Sequence, residues 1–272
     1  MSHVLAPTDP HPAADSLPAE AWDEPFLRIG HGGAAGHAPA NTLRSLALAL
    51  EMGVDMVEFD VRTCRDALVL LHDDSLAKLG DARGLASGST LAELRALTAN
   101  SDRRIATLAE ALDLLRGRAL VNVDLKATGY EEPVVGLVCA KGMAGDVLYS
   151  SLYPASLRRV RQADPGARTG LSYPEDRGDA SSKPYLQPAV NAVVALMRLA
   201  LPYRILRMMA GARADAVMLY HRIVSRAVVK TVQQVGGKVF VWTVDTAPRL
   251  RQLQELGVNG IASNHPELFA RP

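Results

Sequence analysis

Val54-Asp55-Met56-Val57-Glu58-Phe59-Asp60-Val61 is the stretch that decides how this chain reads. It is an apolar run carrying two carboxylates two residues apart, and a strand turns residues i and i+2 to the same face. Glu58 and Asp60 therefore point one way. Two acids so placed make a hard, oxygen-rich site, which suits Mg²⁺ or Ca²⁺ far better than a soft metal. Asp124 ends another apolar run and could close the set as a third carboxylate, while His31 and His72 flank the pair in sequence.

Working outward, short apolar runs alternate with helical segments from Phe26 onward, which argues for a parallel sheet with crossover helices. Eight runs read as strands: Phe26 to Gly30, Val54 to Asp60, Ala119 to Asp124, Val147 to Ser150, Arg168 to Ser172, Ala216 to Tyr220, Lys238 to Thr243 and Gly260 to Ser263. The first helix begins at the N-cap pair Asn41-Thr42 and stops at Gly53. Leu68 to His72 follows the second strand too closely for a parallel crossover. It reads as the return arm of a hairpin turning at Arg65-Asp66. The fold class is α/β, a TIM (β/α)8 barrel with a β-hairpin after strand 2 and a helical insertion after strand 5. In such a barrel His31, Glu58, Asp60 and Asp124 lie at C-terminal strand ends, where barrel active sites sit, and His72 hangs over the mouth.

Composition bounds the function. A chain of 272 residues with 48% hydrophobic content can build one large barrel core. A formal net charge of +1 leaves no electrostatic footprint for nucleic acid or for an acidic membrane surface. Two cysteines, Cys64 and Cys139, are too few for a disulfide framework and predict free thiols in a reducing compartment. Residues 1–25, rich in Pro, Ala and acids, read as a loose tail without the basic start and apolar centre of a signal peptide. Residues 26–272 read as one domain, with the insertion at about 173–214. No uninterrupted apolar run reaches the roughly 18 residues of a membrane span, so the expectation is a cytoplasmic protein.

His31-Gly32-Gly33, Pro39-Ala40-Asn41-Thr42, Glu58-Phe59-Asp60, His72-Asp73, Asp124-Leu125-Lys126 and Trp242-Thr243-Val244 occur in this order, with Ile105-Ala106-Thr107-Leu108 between the fourth and fifth. The set resembles the signature of the glycerophosphodiester phosphodiesterases: His-Arg-Gly, Pro-Glu-Asn-Thr, Glu-x-Asp, His-Asp, Glu-x-Lys and Trp-Thr-Val, with an Ile-Pro-Thr-Leu helix start. The resemblance runs from Arg28 to Leu268. It implies the phospholipase-C-like phosphodiesterase barrel and metal-dependent hydrolysis of a glycerophosphodiester to glycerol phosphate and an alcohol. It further implies His31 and His72 as acid and base in unassigned order, Glu58, Asp60 and Asp124 around one divalent cation, and Lys126 and Trp242 against the substrate. The attacking group would be the glycerol 2-hydroxyl, giving a cyclic phosphate that water then opens.

Three positions depart from the pattern. Gly32 stands where the family has an arginine, removing a charge-assisted phosphate contact and leaving that task to Lys126. Ala40 replaces a glutamate beside the site. Asp124 replaces a glutamate and withdraws its oxygens by one methylene, so that a water could bridge to the metal.

Each residue also has a plainer reading. A histidine after an apolar strand is often structural, and Glu58 and Asp60 could pair with Arg28 or Arg62, at the cost of burying charge. Lys126 could serve only as the ion-pair partner of Asp124, and Trp242 only as core. His37 and His221 belong to no motif and read as structural or surface residues. A non-catalytic phosphoglycerol-binding barrel is the alternative function, but it has no use for two proton-transfer groups.

The insertion of about forty residues between the fifth and sixth strands exceeds ordinary loop length. Ala189 to Leu201 and Tyr203 to Ala210 read as two helices broken at Pro202. They form either a barrel-covering element or a hydrophobic lid making a weak membrane-surface contact through residues 185–210, which would admit a lysophospholipid and lysophospholipase D-type chemistry.

Overall fold

The computed structural model describes residues 17–79, 83–174 and 187–270. Nine strands form one sheet: β1 (Leu27–Gly30), β2 (Met56–Thr63), β3 (Leu68–Leu70), β4 (Leu120–Leu125), β5 (Val147–Ser151), β6 (Arg168–Tyr173), β7 (Ala216–Tyr220), β8 (Lys238–Trp242) and β9 (Gly260–Ser263). Eight of them pair in parallel in the order β1-β9-β8-β7-β6-β5-β4-β2, and β1 closes the ring on β2. Among the described residues eight α-helices flank it: α1 (Leu43–Glu51), α2 (Leu91–Leu97), α3 (Leu108–Leu115), α4 (Glu131–Ala140), α5 (Pro154–Ala163), α6 (Gln187–Ala212), α7 (Arg226–Gln233) and α8 (Ala247–Glu255).

The strand sequences sort themselves by their period of two. Val57, Phe59, Val61, Val121 and Val123 pack outward with α1, α3 and α4, and Val217, Leu219, Val239 and Val241 do the same with α6, α7 and α8. Inside, Leu27, Ile29, Met56, Leu120, Leu148, Met218 and Phe240 fill the lower barrel. One pleat higher on β2 and β4 the inward positions turn polar, at Glu58 and Asn122, and the next pair is Asp60 beside Asp124. This gradient puts the polar cluster at the C-terminal mouth.

β2 runs past the barrel rim, pairing Val61, Arg62 and Thr63 antiparallel with Leu70, Val69 and Leu68. Cys64 N–H to Ala67 C=O, at 2.8 Å, closes the turn around Arg65-Asp66. Leu71 N–H reaches the Asp60 carbonyl at 3.0 Å, which brings His72 to the rim.

Two expectations change. The insertion holds one continuous helix of 26 residues with Pro202 inside it, not two. Leu201, Ile205, Met209 and Ala212 are buried on either side of the proline, and that packing outweighs one lost backbone hydrogen bond. By length and composition α6 is the one helix among the described residues able to cross a membrane, but its Leu201, Ile205 and Met209 are packed into the barrel-side core, so the expectation of no membrane span stands. Finally, residues 1–16 of the expected tail lie outside the described residues, but Ala19–Trp22 form a 3-10 helix. Trp22 is buried beneath the barrel, donating through its indole to Gly145 C=O at 2.8 Å, so the folded unit begins before residue 26.

Candidate active site

The loop after β1 sets the first wall. Gly33, at φ +83°, lies where a Cβ would meet the Ser45 backbone at 2.5 Å, so only glycine lets the loop fold onto α1. Gly32, at φ +54°, turns its N–H to Glu58 Oε2 at 2.8 Å. Thr42 caps α1 by accepting from Ser45 N–H, which frees Asn41 for another task. Asn41 adopts φ 64°, donates through Nδ2 to Asp60 Oδ2 at 2.7 Å, and accepts from Asp60 N–H at 3.0 Å.

Glu58, Asp60 and Asp124 are all buried and offer one oxygen each within 4.8 Å of the others. Lys126 Nζ sits 2.8 Å from Asp60 Oδ1 and 2.6 Å from Asp124 Oδ2. Asp124 Oδ1 accepts from Ser150 Oγ at 2.6 Å. One ammonium thus pairs with two of the three carboxylates, and the electrostatics register the shortfall. Burial, with Asp60 beside it, pushes the Glu58 carboxyl up to about 7. Burial works against a charged Asp60 as well, but Lys126, His72 and the Asn41 amide hold it down at about 2. The Lys126 ammonium, though buried, is held charged by Asp124, Asp60 and Glu58. A site with all-oxygen donors and excess negative charge fits a hard divalent cation.

The two histidines stand on either side. His31 Nδ1 lies 2.8 Å from Asn264 Oδ1, and Asn264 Nδ2 donates to Asp245 Oδ2 at 2.7 Å. Asp245 therefore fixes the carboxamide so that its oxygen accepts from His31 Nδ1–H, leaving the lone pair on Nε2. Nε2 is 4.0 Å from Glu58 Oε2 and 3.5 Å from Thr243 Oγ1. Burial opposes protonation of His31, yet Glu58 and the bond to Asn264 raise its pKa. His72, on the hairpin, is exposed, and its Nδ1 is 3.1 Å from Asp73 Oδ1. Below it a pocket of about 120 Å³ is lined by Asn41, Leu70, Leu71 and Arg103.

All the metal and proton-transfer candidates of the sequence thus share one mouth. Trp242 is half-buried, donates to Met218 C=O at 3.0 Å and tilts against Tyr220. Asn41, Ser150, Asp245 and Asn264 also belong to the site; Asn41 stands in the Pro39-Ala40-Asn41-Thr42 motif with no role assigned there, and the other three carry no motif. Only Asn41 had a local signal, since of the pair Asn41-Thr42 a single residue can cap the helix.

The sequence profile of the glycerophosphoryl diester phosphodiesterase family matches residues 31–268, which includes both histidines and all three carboxylates. The chain belongs to that family. It is 28% identical over 258 residues to a glycerophosphodiester phosphodiesterase of Caldanaerobacter subterraneus, covering 89% of this chain and 95% of the relative. The same barrel occurs in a phosphodiesterase of Oleispira antarctica solved with sn-glycerol-3-phosphate (TM-score 0.68, 22% identity, 89% and 94% covered). It occurs again in a glycerophosphodiester phosphodiesterase of Agrobacterium tumefaciens (TM-score 0.69, 22% identity, 90% and 100% covered).

Proposed function

We infer that this member of the glycerophosphoryl diester phosphodiesterase family hydrolyses glycerophosphodiesters to glycerol phosphate and an alcohol, using one divalent cation, Mg²⁺ or Ca²⁺. The observation that carries this reading is the convergence of Glu58, Asp60 and Asp124 beside His31 Nε2. Those three carboxylates would hold the cation, which when bound draws charge from the phosphate oxygens and makes a neighbouring hydroxyl more acidic.

The chain's own groups move the protons. His31, with its proton fixed on Nδ1 by Asn264, offers Nε2 as the base for the glycerol 2-hydroxyl. As that oxygen bonds to phosphorus the bond to the alcohol breaks, and His72 supplies the proton to the departing oxygen. Its exposed position at the rim lets it exchange protons with solvent. In the second half His72 takes a proton from water, the water oxygen opens the cyclic phosphate, and His31 returns its proton to the 2-oxygen. Lys126 retains an N–H beyond its two carboxylate partners for a phosphate oxygen. Trp242 would border the glycerol moiety. Unpaired Cys64 and Cys139 support a cytoplasmic location.

The test is alcohol release from glycerophosphocholine and glycerophosphoethanolamine with and without chelator. Chelation should abolish release, restored divalent cation should recover it, and Asp60→Ala should be inactive in both conditions. Full turnover in excess chelator would refute the reading, and binding without turnover would favour the non-catalytic barrel.

A lysophospholipid is the second substrate supported by a particular observation. Val193, Leu196, Leu199, Tyr203 and Leu206 form an exposed stripe along α6, with Leu199 71% and Tyr203 88% accessible. Arg198, Arg204 and Arg207 are exposed on the same helix. The opposite edge of α6 is committed to the barrel through Leu201, Ile205 and Met209, so the helix would lie on a lipid surface rather than span it.

A further inference from the structure

Apart from the three carboxylates, the structure gathers a second set of metal-binding side chains from two distant parts of the chain. His37 comes from the loop between β1 and α1, and His265 and Glu267 follow β9. Glu267 reaches both rings: its Oε2 is 2.7 Å from His37 Nε2 and its Oε1 is 3.1 Å from His265 Nδ1. One donor atom from each of the three lies within 4.8 Å of the others. The rings meet edge to face with centroids 5.7 Å apart. Gly36 makes the room, since a Cβ there would lie 2.5 Å from His265 Cε1.

We propose that His37, His265 and Glu267 form a zinc site separate from the catalytic carboxylates. Two imidazoles and one carboxylate are the borderline donor set that zinc takes, with the fourth position left to water. The carboxylate site, all oxygen, selects the opposite class of ion. Zinc ligands at roughly 2.0 to 2.1 Å in a tetrahedron stand about 3.3 Å apart. Glu267 Oε2 and His37 Nε2, at 2.7 Å, would therefore open by about 0.6 Å, and Glu267 Oε1 and His265 Nδ1, at 3.1 Å, by about 0.2 Å. His37 and Glu267 are exposed and His265 is half-buried, so their side chains can make that adjustment.

The consequence is mechanical. Gly36 N–H already bonds Asn264 C=O at 2.7 Å, and Asn264 holds His31 Nδ1. An ion on His37, His265 and Glu267 would clamp the loop carrying His31 and Asn41 to the segment carrying Asn264. These three are positioning residues; none faces the reacting atoms.

The experiment titrates Zn²⁺ into the full chain, stripped of metal and then held in excess Mg²⁺, and reads bound zinc by elemental analysis and the Co²⁺-substituted form by its visible spectrum. Wild type should bind one zinc per chain, give the strong absorption of low-coordinate Co²⁺, and melt at a higher temperature with zinc than without. His37→Ala and His265→Ala should each weaken zinc binding by at least roughly tenfold and lose the spectrum, while Asp60→Ala keeps both. Zinc binding unchanged in His37→Ala and His265→Ala, or lost in Asp60→Ala instead, overturns the proposal, as does a wild type that binds none. Metal-free circular dichroism checks the fold of each variant, and His37→Gln stands in for any variant that fails to fold. Since no readout uses turnover, loss of the phosphodiesterase reading would leave the result interpretable.

Discussion

A Cβ on Gly32 would lie 2.8 Å from the Cβ of Ala40, so two of the positions at which the chain departs from the family pattern face each other. The missing arginine and the missing glutamate are thus one local change. Gly32 also holds φ +54° while its N–H binds Glu58 Oε2. An L-residue there costs roughly 1 to 2 kcal/mol in backbone alone.

Restoring the arginine by itself should therefore fail. Gly32→Arg is expected to lose about 1 to 2 kcal/mol of stability by urea unfolding and to leave kcat/KM for glycerophosphocholine no higher than wild type. Gly32→Ala should show the same backbone penalty, and adding Ala40→Gly should relieve only the part due to the close contact. A Gly32→Arg chain with unchanged stability and raised kcat/KM would show that the loop accepts a side chain.

Lys126 gives the second prediction. It is the only side-chain cation within ion-pair distance of Asp60 and Asp124 among the described residues, and all three side chains are largely buried. Lys126→Met leaves two buried carboxylates without it, which should cost about 3 to 5 kcal/mol in metal-free protein. A saturating divalent cation supplies replacement charge and should recover much of that loss, besides the stabilisation it gives wild type. Calorimetric melts of both chains with and without Mg²⁺ measure the difference, and an equal deficit in the two conditions contradicts the electrostatic account.

The barrel and its row of acids were legible because a strand carries its own code: polar residues at every second position of an apolar run share one face, and where helices cover the outside of a barrel that face is the inner one. Glu58, Asp60 and Asp124 announced themselves in this way. Asn41 did not, because Asn-Thr reads as a capping pair whichever residue does the capping, and its real partner is Asp60, 19 residues on. Asn264 lies 233 residues from His31, and no local pattern can carry so distant a hydrogen bond. α6 departs from its sequence pattern for a different reason. Pro202 is a breaker by propensity, and only the tertiary packing of Leu201 and Ile205 overrides it.

The third prediction follows the relay from Asp245 through Asn264 to His31. His31→Ala and His72→Ala should each lower kcat by about 10² to 10⁴ without unfolding the chain. Asn264→Ala acts only by releasing the imidazole, so its loss should be smaller and should vanish in the His31→Ala background. Full additivity of the two would mean that Asn264 acts elsewhere.

His221 gives the fourth. Arg249 Nε donates to its Nδ1 at 3.3 Å, and burial, then the charges of Arg249 and Arg222, lower its pKa from 6.5 to about 4, against an opposing pull from Asp245. The unfolded chain takes up this proton near 6.5 and the folded one only near 4. The contribution is therefore complete above about 6.5 and is lost as pH falls from there towards 4. Unfolding free energies of wild type and His221→Gln across that range should converge as the pH drops, and a constant difference between them would remove His221 from the account.

The last prediction separates lipid from soluble substrate. Along α6, Val194 and Met197 pack on the barrel while Leu196, Leu199 and Tyr203 face out, so the exposed trio and not the inner pair is the surface to alter. Each methylene withdrawn from water is worth about 0.8 kcal/mol, enough for a few contacts to dominate the binding of an acyl chain or a bilayer surface. Leu196→Ser with Leu199→Ser should weaken sedimentation with anionic vesicles and raise KM for a long-chain lysophospholipid. For glycerophosphocholine KM should hardly change, because the substituted side chains are exposed and lie outside the carboxylate and histidine cluster. Salt should weaken vesicle binding further, since Arg198, Arg204 and Arg207 add a screened attraction. If both substrates suffer equally, the stripe supports the barrel and nothing else, and the substrates are small water-soluble diesters.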